Sequence, residues 1–177
     1  MAALRHAGIG YTAIEIDKHT ELPEIIDNLA QTRAATHPGD RIAWLGVLRA
    51  PRIGLSWADI HALVHSDSNS TVRELLEDPD RIERLSADGR TGLEAALAPL
   101  HELFRAHRSS SLRQRVERCW LTLGGPGALR DEMEIENVYR FLDLLDTHEV
   151  GGTLPEVARL EAVLDDEKVS STRRSRV

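Results

Sequence analysis

The chain has 177 residues, 22 Lys and Arg against 29 Asp and Glu for a net charge of −7, one cysteine and 4% aromatic residues. That length can bury one sizeable core and predicts a single globular unit with a short appendage. Cys119 has no partner for a disulfide, no apolar run nears the roughly 20 residues of a bilayer span, and the acidic total excludes a protein coated in nucleic-acid-binding charge, so the expectation is a soluble, cytoplasmic chain with room for one local basic face.

Leucine occurs 24 times against seven aromatic residues in all, which favours helices packed by Leu and Ala over a sheet. The predicted class is therefore mostly all-α, an irregular bundle of about eight helices with one short N-terminal strand near residues 11–16. In that strand Tyr11, Ala13, Ile14 and Ile16 alternate loosely with Thr12 and Glu15, after Gly8 and Gly10. A lone strand cannot satisfy its own backbone, so its partner is expected from outside the rest of this chain.

Next in order, Asp40 follows the His37-Pro38-Gly39 turn and caps a helix over residues 41–49. Ser56 follows the turn at residues 50–54 and caps a helix over 57–65; a polar run at 66–70 separates it from a short helix over 71–78. From Thr91, the positions Leu93, Ala96, Leu97, Leu100, Leu103 and Phe104 repeat at helical spacing, with Pro99 predicting a kink or break. Leu112, Val116, Trp120 and Leu123 make a further amphipathic helix, stopped by Gly124-Gly125-Pro126-Gly127. Ile135, Val138, Tyr139, Leu142 and Leu145 make another, and Gly151-Gly152 precedes a last helix over residues 155–167. Residues 170–177 carry Arg173, Arg174 and Arg176 without apolar period and read as a disordered tail.

Neither a phosphate-cradling G-x-x-x-x-G-K-[ST] loop nor a G-x-G-x-x-G turn opening a helix is present, and residues 124–127 read as an interhelical turn. His61 and His65, four apart, could face one metal beside Asp59 or Asp67, but Ala62 stands where a zincin needs Glu, and the bland alternative is a solvated helix face. Cys119, beside Trp120, reads as a core thiol rather than a nucleophile. The acids at 165–167 read as a solvated terminus.

Charge is unevenly spread. Residues 41–52 hold three arginines and no acid; residues 105–118 hold five arginines, Arg105, Arg108, Arg113, Arg115 and Arg118, opposed only by Glu117; residues 131–167 hold twelve acids and two arginines. Arginine's planar fork suits phosphate and carboxylate alike, so each basic stretch either meets a phosphate backbone or pairs with the acidic helices. The segment from Arg49 to Ser56 is the more pointed of the two. Gly54 permits close backbone approach, the helix beginning at Ser56 presents free N–H groups, and Arg41, Arg49 and Arg52 are neighbours, which is how helix-turn-helix elements grip phosphate without reading bases. An ordinary interhelical turn is the competing explanation.

The run from Pro38 to Pro51, PGDRIAWLGVLRAP, continuing through Gly54-Leu55-Ser56-Trp57-Ala58-Asp59-Ile60, resembles UvrD/Rep-type superfamily 1 DNA helicases, most closely the branch related to the exonuclease V beta subunit. Trp120-Leu121-Thr122-Leu123-Gly124-Gly125-Pro126 and Phe141-Leu142-Asp143-Leu144-Leu145 resemble the same branch, and the similarity covers roughly residues 4 to 165. The resemblance implies that residues 1–18 are a fragment of a RecA-like motor domain, residues 19–168 the helical accessory subdomain usually called 2B, and residues 169–177 a disordered tail. It implies contact with duplex DNA and with the remaining motor domains. The motifs that bind ATP and Mg²⁺ have no counterpart here, so the chain alone is expected to be no enzyme and to hold no cofactor; both belong to a parent ATP-dependent DNA helicase of repair or recombination. Carry-over is firmest for Arg49, Gly54 and Ser56, whereas Arg52 replaces an apolar or aromatic residue. Two competing expectations stand beside it: a helical interaction module meeting a protein partner through its acidic surface, with the unpaired strand offering a route to a homodimer, and a metal hydrolase built on His61 and His65.

Overall fold

The computed structural model describes residues 14–105, 110–166 and 168–172, and for 14–19 and 168–172 the backbone only. Strand β1 (Ile14–Lys18) leads through a 3₁₀ turn (His19–Glu21) into nine α-helices among the described residues: α1 (Pro23–Thr36), α2 (Arg41–Arg49), α3 (Trp57–Val64), α4 (Val72–Leu75), α5 (Pro79–Glu83), α6 (Ala87–Arg105), α7 (Leu112–Thr122), α8 (Glu132–His148) and α9 (Val157–Asp166). The fold is mostly all-α, as the composition predicts. No helix among the described residues is long and apolar enough to cross a membrane.

The helix starts follow from side chains that accept from the orphan N–H groups of a first turn. Asp40 accepts from the Ala43 N–H at 3.0 Å. Ser56, Thr71 and Ser111 each form a reciprocal capping box with the residue three places on, and Asp131 accepts from Glu134.

Helix α1 lies centrally, against α2, α7 and α8, while α6 packs on α7 and α9 on α8. Trp44 of α2 is fully buried, stacks on Phe104 of α6 with ring centroids 4.9 Å apart, and donates its indole N–H to the Pro38 carbonyl at 3.0 Å. Helix α1 has no clean apolar stripe: its buried face carries Glu24, Asn28, Gln31 and Thr32 beside Ile25, Ala34 and Ala35. These polar groups fix its position. The Gln31 amide donates to the Val116 carbonyl of α7 at 2.9 Å, and the Asn137 amide of α8 donates to the Glu24 carboxylate at 2.9 Å.

Two expectations need correction, and of the kink or break expected at Pro99 the break is absent. The partner of the N-terminal strand lies within the chain: β2 (Lys168–Thr172) pairs antiparallel with β1, Ile14 opposite Thr172 and Lys18 opposite Lys168. Residues 169–172 are therefore a strand and not part of a disordered tail; residues 11–13 and 173–177 lie outside the described ones. Pro99 does not break its helix, since α6 runs unbroken from Ala87 to Arg105. A proline ring removes one helical hydrogen bond, but Leu93, Ala96, Leu100, Leu103 and Phe104 keep one buried face continuous on both sides of it.

Candidate nucleic-acid interface

The segment between α2 and α3 is built from the inside. Its anchors are Ile53 and Leu55, 6% and 1% exposed, and the Leu55 N–H returns to the Leu48 carbonyl at 3.0 Å. Gly54 between them has φ of +73°, a left-handed conformation that a side chain disfavours. The turn seats directly on α6: a Cβ at Gly92 would stand 2.4 Å from the Ile53 carbonyl oxygen, so only glycine admits the approach.

Asp59 locks the arrangement. It is 4% exposed, and its carboxylate accepts from the Ser56 N–H and hydroxyl at 3.1 and 2.6 Å and from the Ser86 N–H and hydroxyl at 2.6 and 3.1 Å. Burial alone would raise its pKa, but the four bonds from Ser56 and Ser86 outweigh burial and hold it below the usual aspartate value. One buried anion thus ties the start of α3 to the start of α6, where Ser86 in turn accepts from the Gly89 N–H.

What this scaffold projects outward is a pair of side chains. Trp57, the first residue of α3, is 66% exposed, and the exposed Arg49 sets its guanidinium carbon 4.4 Å from the centre of the indole ring. Helical geometry leaves the Trp57 and Ala58 N–H groups with no carbonyl ahead of them, so partial positive charge gathers at the same tip.

The other basic candidates divide sharply. Arg41 turns inward and donates to the carbonyls of Ser70, Val64 and Asp67 at 2.9, 3.1 and 2.6 Å, closing the C-terminal end of α3. Arg52 is half-buried and donates to the Asp27 carbonyl at 3.1 Å; burial lowers its pKa against the opposing Asp27 charge. Arg115 is 3% exposed and bridges the carbonyls of Leu103 and Gly152. Arg113 pairs with Glu117 at 2.8 Å and Asp143 at 3.5 Å. Arg105 and Arg118 are exposed, and Arg108 lies outside the described residues. The two basic runs are not two basic faces: much of their charge serves helix ends and neighbouring acids.

The remaining candidates sit apart from the tip. The rings of His61 and His65 stack with centroids 4.5 Å apart, and among the described residues no three His, Cys, Asp or Glu side chains converge as a metal site would require. Cys119 is buried, and desolvation pushes its thiol up to about 12, so it carries no thiolate near neutral pH. Asp59 and Trp57 are the residues sequence reasoning undervalued; the S-x-x-D capping spacing was a signal for the first, and an apolar residue directly after an N-cap for the second.

No family model matches the chain, and no curated protein matches it.

Proposed function

We propose that this chain is a helical accessory subdomain that touches duplex DNA, without sequence preference, through the tip formed by Arg49, Gly54, Ser56 and Trp57, as part of an ATP-dependent helicase of the UvrD/Rep type whose motor domains lie outside it. The observation that carries the reading is the exposed Arg49–Trp57 pair at the N-terminus of α3. A cation, an aromatic plate and free N–H groups meet there on a rigid base, which is what a phosphate backbone and its sugars require.

The strand pair supports the same reading from another side. Strands β1 and β2 bring the entry and exit of the helical body together, the arrangement that lets a body be inserted in a host domain with little disturbance. A second reading has its own observation. Glu132, Glu136, Asp143 and Asp146 are all exposed on α8, an acidic surface suited to a basic protein partner.

Fluorescence anisotropy of a labelled hairpin duplex across a salt series tests the first reading. Affinity should fall with salt at a log–log slope of about −0.9 for each phosphate neutralised. Absence of duplex binding at low ionic strength, with binding to a polybasic peptide instead, refutes it in favour of the acidic surface.

A further inference from the structure

Between α4 with the turn after it and the C-terminal end of α6 lies an open depression of about 260 Å³, lined by Arg73, Glu77, His101 and Arg105. Its walls are two facing pairs. Arg73 and Glu77 come from one side, and His101 and Arg105, about one helical turn apart on α6, from the other. Buried neighbours fix the backbone under both pairs: Val72, Leu75 and Leu76 under the first, Leu100, Leu103 and Phe104 under the second. The α2–α3 tip lies elsewhere, since Gly92, where its turn seats on α6, precedes His101 by about 14 Å of helix.

The charge here is left open to solvent. All four residues are exposed, and among the described residues neither His101 nor Arg105 has a hydrogen-bond or ion-pair partner. Arg73 has one, a loose contact of 3.8 Å with Glu77, whose side chain is 61% exposed. The neighbouring acids are engaged elsewhere: Glu74 accepts from Thr71 in its capping box, and Glu102 lines a separate cleft with Arg118. Two guanidiniums and an imidazole therefore meet one carboxylate, which leaves the depression with a surplus of donors and of positive charge.

The number of donors selects the guest. A carboxylate offers two oxygens, and a phosphodiester two unesterified oxygens with a single charge; a phosphomonoester offers three and nearly two charges near neutral pH. Two arginine forks and an imidazole N–H supply a donor group for each of the three. An apolar cavity of about 150 Å³ accepts benzene, so the larger depression has room for a small ester group beside the phosphate. The last carbonyls of α6 oppose an anion, so the side chains must carry the binding. We propose that this depression binds the phosphate of a small phosphomonoester, with Arg73, His101 and Arg105 as donors and Glu77 as the group it displaces from Arg73. The site does not depend on the duplex reading, and either can fail without the other.

The probes are phenyl phosphate, inorganic phosphate and dimethyl phosphate, titrated into the full chain at low ionic strength and constant pH while the Arg73 and Arg105 Nε–H resonances are followed by ¹H–¹⁵N NMR. Phenyl phosphate should bind saturably in about the millimolar range, at least as tightly as inorganic phosphate. Dimethyl phosphate, with one charge and two free oxygens, should bind at least about fivefold more weakly. Arg73→Gln and Arg105→Gln should each weaken phenyl phosphate about fivefold, while Glu77→Gln strengthens it about threefold and Arg118→Gln, outside the depression, leaves it unchanged. No saturable binding of phenyl phosphate, tighter binding of inorganic phosphate or equal binding of dimethyl phosphate overturns the proposal. So does an affinity unchanged in both arginine variants or lowered by Glu77→Gln.

Discussion

Replacing Asp59 by Asn probes the joint on which the tip rests. The four donors that converge on the carboxylate include two backbone N–H groups, of Ser56 and Ser86, which cannot turn away. An Asn side chain has one acceptor oxygen. Seated where it serves Ser56 and the Ser86 hydroxyl, it sets its NH₂ against the Ser86 N–H and leaves that donor buried and open, a loss of about 2 kcal/mol; Asp59→Ala abandons all four bonds and should lose about 4 kcal/mol. The Asn variant carries a pH signature as well. The Asp59 pKa is depressed from 3.8, so its contribution is complete above that value and fades as pH falls through the lower, folded-state pKa. Urea denaturation followed by circular dichroism should therefore show a constant deficit for Asp59→Asn at mildly acidic to neutral pH that narrows below about pH 4. A variant as stable as the parent at neutral pH, or a deficit unchanged in acid, would refute the anion's role.

Elsewhere the structure makes sharper demands on size and charge. A Cβ at Gly125 would stand 2.0 Å from Nε1 of the fully buried Trp120, so Gly125→Ala should cost about 3 kcal/mol, lowering the melting temperature by about 10 °C with a changed near-ultraviolet tryptophan signal; an unshifted melt contradicts the packing. Arg115→Ala leaves the Leu103 and Gly152 carbonyls unanswered and should lose about 3 kcal/mol, whereas Arg118→Ala, exposed on the same helix, should stay within about 0.5 kcal/mol. Equal denaturation midpoints for the two would show that Arg115 is no clamp. With its thiol near 12, Cys119 should react with a disulfide reagent only as fast as the protein opens, far slower in buffer than in urea; matching rates would place it at the surface.

The elements legible in the sequence are those whose caps and stripes are local. Asp40 and Ser56 announce α2 and α3 because an N-cap acts within three residues. Helices α7 and α8 show their apolar faces directly. Helix α1 escaped notice because its buried face holds Glu24, Asn28, Gln31 and Thr32, whose partners Val116 and Asn137 lie far along the chain. Distance in sequence also hid the pairing of Ile14–Lys18 with Lys168–Thr172. At the candidate site, the sequence shows arginines but not their direction. Arg41 and Arg115 turn to carbonyls at the ends of helices, Val64 and Leu103, and in the connections between them, Asp67, Ser70 and Gly152, where the backbone lacks helical donors. Only Arg49 of the first run was left over Trp57, and no local pattern separates it from Arg52.

Duplex binding by Arg49→Glu, compared with wild type and with Arg118→Glu over a salt series, bears most directly on whether the α2–α3 tip meets DNA. For Arg49→Glu the log–log slope should become shallower by about 1 and the low-salt affinity should fall about tenfold, while Arg118→Glu changes neither. Superimposable titrations for wild type and Arg49→Glu would contradict the assignment.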